Sequence, residues 1–142
     1  MWTTRGVLLI ALIAASLTGP ARSVATPSAG IEATELWRTS SDGTDYVFRQ
    51  LTVAPGGSTG WHWHDGRLYG MIKQGTLTHN LADCSVDGVY STGDGIFEPS
   101  GADHVHIGRN LGTTPLVMQV LYVVPAGSPL SEDAPDPGCG FS

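Results

Sequence analysis

The sequence predicts a single all-β domain of the barrel or sandwich type, and three observations lead to this prediction. Helical periodicity is almost absent after the first 25 residues. Short runs of alternating or β-branched residues recur along the chain instead. Glycine, proline, asparagine and aspartate separate these runs, as is typical of short strands joined by turns.

Nine segments carry the strand pattern, and their predicted bounds are 31–37, 46–53, 60–64, 68–73, 75–79, 89–91, 95–98, 103–108 and 116–124. Turn-forming sequences separate most of them: Ser41-Asp42-Gly43, Pro55-Gly56-Gly57, Asp65-Gly66, Asp87-Gly88, Pro99-Ser100-Gly101 and Asn110-Leu111-Gly112. The segment 116–124 is apolar enough to suggest a buried helix. Its β-branched residues, and Pro115 and Pro125 at its ends, favour a core strand.

Residues 1–25 have the features of a signal peptide. Arg5 precedes an apolar run over 7–17, and Ser23 and Ala25 supply the small residues of a cleavage site. The run is too short to span a bilayer comfortably, although an anchor that is never cleaved is the alternative. We therefore expect a secreted, extracytoplasmic protein. Residues 26–30 would form a flexible leader, 31–124 the barrel and 125–142 a proline-rich tail.

The charge of the chain argues against two classes of partner. The formal net charge is −6, and removing residues 1–25 takes away two arginines and no acidic residue, which leaves −8. Such a protein is a poor partner for nucleic acid or an anionic membrane surface. We expect neither nucleic-acid binding nor stable membrane insertion once the signal peptide is removed.

Cys84 and Cys139 are the two cysteines of the chain. In an exported protein they predict one disulfide, which would tie the tail to the barrel. Two free thiols are the alternative. A Cys–His metal site is less favoured, because neither cysteine has a Cys or His neighbour at ligand spacing.

Two histidine pairs are the main functional signal: His62-Trp63-His64 and His104-Val105-His106. Residues i and i+2 of a strand project from the same face, so each pair can direct two imidazoles at one point. Two neighbouring strands with such pairs would enclose a space of the size of a metal ion. His79 stands alone near a strand end and is expected at the surface or in a turn.

The pairs lie in longer patterns that resemble the two motifs of the cupin superfamily. Gly56-x5-His62-x-His64, followed by Gly75, is similar to the first motif. Gly93-x5-Pro99-x-Gly101-x2-His104 matches the second motif except for its final asparagine, which would fall at Gly108, near Asn110. The resemblance implies a double-stranded β-helix, or jelly-roll barrel, with a metal site inside.

By resemblance, the metal ligands are His62, His64 and His104. The glutamate of the first motif is missing, because Leu68 occupies its position. Three further residues are candidates for supporting contacts around the ligands: His106, Glu98 and Tyr69. His106 is also a candidate fourth ligand. Tyr69 could contribute its hydroxyl only if the strand slips by one residue. Three imidazoles suit Fe, Zn or Ni, and also Mn when oxygen ligands are added.

Two functions are compatible with these residues. The first is a secreted cupin that holds a divalent ion and binds or transforms a small molecule; if catalytic, it would be an oxygenase or an isomerase. The second is a metal-free, non-enzymatic module of the cell envelope that binds a ligand or assembles with another subunit. A homodimer is one form that such assembly could take. The fold alone does not select between them.

Overall fold

The computed structural model describes residues 25–142 and consists of strands, turns and loops, so the predicted all-β fold is confirmed. The ten strands of this part of the chain are β1 (Ala29–Ser41), β2 (Thr44–Ser58), β3 (His62–Trp63), β4 (Arg67–Gln74), β5 (Thr76–Leu81), β6 (Val86–Ser91), β7 (Gly95–Glu98), β8 (His106–Arg109), β9 (Leu116–Pro125) and β10 (Glu132–Asp133).

Antiparallel pairing joins these strands into one barrel-shaped sheet. Its main path runs β10-β3-β8-β2-β9-β4-β7, with β1 paired to β2, and β5 paired to both β6 and β8. Every ladder is antiparallel, so directly opposed residues point to the same face. The barrel is therefore a double-stranded β-helix in which inward and outward side chains alternate.

Strand β9 is the centre of the hydrophobic core. It pairs along its full length with β2 and over most of its length with β4. Its inward side chains are all buried: Leu116, Met118, Val120, Tyr122 and Val124. The prediction of a core strand over 116–124 is confirmed, and its strict alternation explains why a helix does not form there.

The C-terminal tail covers the outer side of β3. Strand β10 pairs with β3, and the N–H of Ala134 donates to the carbonyl of Trp61 at 2.9 Å. Trp61 is fully buried beneath the tail and stacks on Phe141. The predicted disulfide between Cys84 and Cys139 is present and fastens the end of the tail to the loop after β5.

Residues 25 and 26 contact the same tail. Ala25 forms a β-bridge with Pro135, and the N–H of Thr26 donates to the carbonyl of Ala134 at 3.3 Å. The expected flexible leader thus has defined backbone contacts, and its last two residues belong to β1. The rest of the predicted signal peptide, residues 1–24, lies outside the described residues.

Within residues 25–142, no helix has the length and apolar character needed to cross a membrane.

The predicted strand 103–108 is wrong at its start. Residues 101–103 form a bend and turn, the N–H of His104 donates to the carbonyl of Gly101 at 3.1 Å, and β8 begins only at His106. His104 and His106 therefore do not share one strand face, and the rule of alternating side chains does not apply to His104.

Loss of the disulfide is expected to lower the free energy of unfolding by about 4 kcal/mol. The bridge joins residues separated by 55 positions, and closing a loop of that length restricts the unfolded chain. Urea denaturation of the Cys84→Ser/Cys139→Ser variant measures the loss. Wild-type protein under reducing conditions is the control and should match it; equal stability of oxidised and reduced protein would contradict the expectation.

Candidate metal site

Four side chains from three neighbouring regions of the barrel meet at one point: His62, His64, His106 and Glu98. One ligand atom from each lies within 4.8 Å of the others. His62 and His106 are direct cross-strand partners on β3 and β8, so their rings lie on the same face, with centroids 4.4 Å apart. His64 follows two residues after His62 and returns to the same side of the chain.

Glu98 reaches this point because of its position across the sheet from Leu68. The two residues are direct partners in the β4–β7 ladder and therefore point to the same inner face. Leu68 occupies the position at which the family pattern has a glutamate. The chain thus supplies a carboxylate to the same region from the next strand.

Backbone carbonyls fix the orientation of the three imidazoles. Nδ1 of His62 lies 2.8 Å from the carbonyl oxygen of Gly60, Nδ1 of His64 lies 2.7 Å from that of Leu130, and Nδ1 of His106 lies 2.8 Å from that of His104. A carbonyl only accepts, so each Nδ1 must carry the hydrogen. In the neutral ring, each Nε2 then presents a lone pair, which is the form that binds metal.

The free atoms converge without forming hydrogen bonds to one another. Nε2 of His64 and Nε2 of His106 each lie 3.1 Å from Oε2 of Glu98, yet all three buried atoms lack a hydrogen-bond partner. Lone pairs at this distance repel unless a proton or cation lies between them. Two ligand atoms about 2.1 Å from an ion and at right angles to each other would be about 3 Å apart, so the spacing fits a first-row divalent metal.

Burial and neighbouring charge set the protonation of His62 and Glu98. Burial, with the nearby His106 and His64, lowers the pKa of His62 to about 3. Burial alone would raise the pKa of Glu98, but a positive charge or proton at the facing nitrogens of His106, His64 and His79 outweighs burial and holds that pKa well below its usual value. Glu98 is therefore a carboxylate and His62 a neutral ring at physiological pH.

The predicted ligand set needs correction at one position: the structure brings His106, and not His104, to His62 and His64. His104 lies in the turn before β8 and contributes its backbone carbonyl to His106. The His106-x3-Asn110 spacing restores the asparagine that was missing from the second motif. Asn110 is buried and donates to the carbonyls of Val53 and Thr114, both at 2.9 Å. The loop before the histidine is thus two residues longer than the pattern expects.

His79 was expected at the surface or in a turn, and this expectation is wrong. It is 1% exposed, its Nδ1 lies 3.1 Å from Oδ2 of Asp87, and its Nε2 lies 3.5 Å from Oε1 of Glu98. His79, His104 and His106 form a second group with ligand atoms within 4.8 Å. Burial, together with His106 and His79, lowers the pKa of His104. His79 therefore stands beside Glu98, with its buried Nε2 facing the carboxylate without a hydrogen bond.

Tyr69 does not contribute to the site. It alternates with the inward-facing Leu68, points outward with 46% exposure and packs against Phe97. The strand slip that would have turned its hydroxyl inward does not occur, because Leu68 keeps its register opposite Glu98.

A cavity of about 340 Å³ opens beside the four ligands. Polar and apolar side chains line it in similar measure, and the apolar part comes from five strands: Ile31, Leu51, Leu77, Ile96, Met118 and Val120. Tyr122 also lines it, and burial, with the charge of Glu98, raises the pKa of this phenol to about 12. A small apolar molecule could enter this space and reach the ligands.

Comparison with known families agrees with the motifs. The family model described as "Cupin domain" matches residues 49–125, which is more than half of the chain. This match includes both histidine pairs, Leu68 and Glu98. No curated protein is similar enough to the chain to count as a match.

Several solved structures share the fold at low sequence identity. The polyketide cyclase RemF from Streptomyces resistomycificus is 21% identical, with 80% of each chain covered and a TM-score of 0.59. A cupin-2 domain protein from Rhodospirillum rubrum is 18% identical, with 75% of this chain and 66% of the other covered and a TM-score of 0.60. A protein with a double-stranded β-helix domain from Klebsiella pneumoniae is 18% identical, with 73% and 84% covered and a TM-score of 0.58. These likenesses concern the fold alone.

Acid is expected to destabilise the metal-free protein, in part through His62. In the unfolded chain this ring takes up a proton near pH 6.5, whereas in the folded protein its pKa is about 3. This difference in pKa does not reduce the free energy of unfolding above pH 6.5, and it reduces it progressively as the pH falls towards 3. At pH 5 the reduction is about 2 kcal/mol.

Denaturant unfolding at pH 7 and pH 5, in the presence of a chelator, measures this loss. The His62→Gln variant lacks the titrating ring and should lose correspondingly less stability between the two pH values. An identical pH dependence in the variant and the wild type would rule out His62 as a source.

Moving the carboxylate from position 98 on β7 to position 68 on β4 is expected to preserve metal binding. Glu98→Gln should weaken divalent-metal affinity by about 100-fold or more, since even contacts outside the ligand set change affinity 10- to 100-fold. Because residues 68 and 98 face each other, the Leu68→Glu/Glu98→Leu exchange should recover affinity to within about tenfold of the wild type.

Competition with a metal-sensitive dye measures these affinities. The matched control is Leu68→Gln/Glu98→Leu, which has the same shape without a carboxylate and should stay weak. If the control binds metal as well as the exchanged variant, a carboxylate on this pair of strands is not a ligand.

Proposed function

The chain belongs to the cupin family, and on this basis we propose that it is an exported metal-dependent cupin that binds a small molecule beside one divalent ion. His62, His64, His106 and Glu98 would hold the ion. The observation that carries the proposal is the set of Nε2 and Oε2 atoms that face each other without hydrogen bonds, while each Nδ1 is tied to a carbonyl.

The donor set limits the choice of metal. Three imidazoles and one carboxylate suit Fe, Mn, Zn or Ni, and they are poor ligands for Ca²⁺ or Mg²⁺, which prefer oxygen. The four residues would hold the ion, and a metal with a higher coordination number could also bind a ligand from the adjacent cavity. When bound, the ion would polarise a ligand oxygen or bind O₂.

The residues of the chain would supply the rest of the site. The apolar wall excludes water from the bound molecule, and the Tyr122 hydroxyl remains protonated because its pKa is about 12. It can therefore donate a hydrogen bond to the bound molecule over the whole physiological pH range. Oxygen-dependent oxidation and metal-assisted isomerisation are the reaction classes to test. Cyclisation joins them because RemF, which shares the fold, is named a polyketide cyclase.

The metal-free envelope module is the alternative function. The geometry favours it less, because an empty site leaves the Glu98 carboxylate and two imidazole lone pairs unpaired in the interior. Unpaired buried polar groups are costly, so the arrangement would be expected to disappear if no ion were ever bound.

Export is supported by the signal-peptide pattern of residues 1–25 and by the disulfide, since such bridges persist in oxidising compartments. Cleavage after Ala25 would place the new amino terminus at Thr26, next to the Ala134 carbonyl. The mass of the protein recovered from the exporting cell tests this; a mass that still includes residues 1–25 would contradict cleavage.

Metal analysis tests the main proposal. Protein loaded with Fe(II), Mn, Zn or Ni should retain one ion per chain with at least one of them. An ion at 100 times its Kd adds about 2.7 kcal/mol to the stability, which corresponds to a rise in Tm of about 10 °C.

Two histidine variants distinguish the observed ligand set from the one expected from sequence. His106→Gln should abolish the retained ion and the rise in Tm, whereas His104→Gln, outside the group of four, should keep both. Failure of the wild-type protein to retain any of the four metals would overturn the proposal.

A further inference from the structure

A cation faces the cavity on the side of β2. Arg49 lies between the buried residues Val47 and Leu51 in the inward-facing positions of that strand, and it lines the cavity. The residue is half-buried, and its side chain ends in a cationic guanidinium.

Within the described residues, Arg49 makes no side-chain hydrogen bond and no ion pair. Its cross-strand neighbour on β1 is Glu35, but this carboxylate is bound by Arg38 at 3.0 Å. Asp133 also lines the cavity without pairing with Arg49. A guanidinium pairs with a carboxylate through two parallel hydrogen bonds, and Arg49 has no such partner among the described residues.

The position of Arg49 relative to the metal ligands defines the shape of the molecule that would fit. Arg49 is on β2 and Glu98 on β7, three strands away along the order β2-β9-β4-β7. Neighbouring strands are about 4.8 Å apart, so a molecule touching both ends must cross the cavity. The stretch of wall between them includes the apolar side chains Ile96, Met118 and Val120.

We propose that the cavity accepts a small organic carboxylate with an apolar body, whose carboxylate is bound by Arg49. This inference rests on the proposed function for the position of the other end of the molecule, beside the ion. The chain as a whole is acidic, with a formal net charge of −6, so an inward guanidinium would offer an anion a favourable contact that the overall charge does not.

Calorimetric titration of metal-loaded protein tests this selection. The probes are benzoate, cinnamate and hydrocinnamate, each compared with its primary amide, which has the same size and no charge. At least one carboxylate should bind about tenfold or more tightly than its amide, the range expected for a hydrogen bond to a charged group.

Arg49→Gln should remove that preference, and Arg49→Lys should keep part of it. Arg67→Gln changes an exposed cation on β4 and is the matched control. Unchanged carboxylate binding in Arg49→Gln, or no binding of any carboxylate by the wild type, would overturn the inference. Metal content is measured first, so a failure of the ion site is recognised separately.

A different observation concerns the free edge of the sheet. Strand β1 is 13 residues long and, in the part of the chain that the structure describes, pairs only with β2. Its second edge therefore presents unpaired backbone groups, and its side chains Leu36 and Trp37 are 46% and 52% exposed. Long exposed edges of this kind pair readily with another strand.

The middle of β1 is complementary to itself. The sequence Thr34-Glu35-Leu36-Trp37-Arg38-Thr39 has threonine at both ends, an opposite-charge pair inside these, and two large apolar residues at its centre. In an antiparallel pair of two copies centred between Leu36 and Trp37, Glu35 of one copy would face Arg38 of the other.

A β-bulge in β1 places Glu35 and Arg38 on the same face of the strand, as this self-paired register requires. Glu35 pairs with Arg49 and Trp37 with Phe48, so Leu36 is an extra residue between them. As a result Glu35 and Arg38 lie on the same face, where their side chains are 3.0 Å apart. Opposed residues in the self-paired register therefore point to the same side.

We infer that β1 pairs antiparallel with β1 of a second copy, which produces a two-fold symmetric homodimer. The paired segment covers residues 32–41 of each strand, and opposite charges flank an apolar centre. Such an isologous contact uses the same surface on both copies and closes on itself. It therefore gives a dimer and does not extend into a filament.

Charge exchange tests this register. Glu35→Arg places like charges opposite each other in the dimer, and so does Arg38→Glu; each variant should dimerise about tenfold or more weakly than the wild type, measured by analytical ultracentrifugation over a concentration series. An equimolar mixture of the two variants should dimerise again, because each strand then faces its opposite.

The mixture restores only contacts between copies, since each variant chain still lacks its own Glu35–Arg38 pair. Arg67→Glu is the control for a charge change away from β1 and should dimerise like the wild type. A monomeric wild type, or a mixture that stays monomeric, would overturn the inference.

Discussion

The burial of one carboxylate among imidazoles is the constraint on which the site depends. Glu98 has a side chain that is 12% exposed, and it faces His64, His106 and His79. Its removal from water is costly unless positive charge compensates it. Neutral His62, His64 and His106 cannot donate a hydrogen bond to this carboxylate. In each ring the hydrogen is on Nδ1, which donates to a backbone carbonyl. The cluster could hold a divalent cation, and such an ion would supply the missing positive charge.

The pairing register of the strands brings the carboxylate and the imidazoles together inside the barrel. Cross-strand partners share a face, so the pairs His62–His106 and Leu68–Glu98 both point inward. A one-residue slip of either ladder would turn one member of each pair outward. The long pairing of β9 with β2 and β4 prevents such a slip, and its buried side chains join the site to the core.

Much of the fold could be read from the sequence, because its signals are local. Alternation and turn residues located the strands, and the two cysteines predicted the bridge. The ligand set could be predicted only in part. His62 and His64 lie in a short segment with its own strand pattern, whereas the identity of the third histidine depends on where β8 begins. The turn formed by residues 101–103 decides this, and the spacing to Asn110 was the signal that would have selected His106.

Glu98 and His79 show a different limit of sequence reasoning. Nothing adjacent to Glu98 marks it as a partner of Leu68, because the relation exists only across the β4–β7 ladder. His79 likewise reaches Glu98 through its place on β5, next to β8. Contacts between strands that are distant in sequence depend on the topology of the sheet. The residue pattern of a single strand does not reveal that topology. The inward position of Arg49 is different, because it follows from the alternation of β2 itself, between Val47 and Leu51.

The tail connects the covalent state of the protein to its capacity for an ion. Leu130 in the tail holds Nδ1 of His64, β10 pairs beside His62, and Cys139 fixes the far end of the tail to Cys84. Under the proposed function, oxidation of the cysteines would steady the His64 ring, and by reciprocal linkage a bound ion would favour the oxidised bridge. A reduced chain would hold its tail less firmly and bind the ion more weakly.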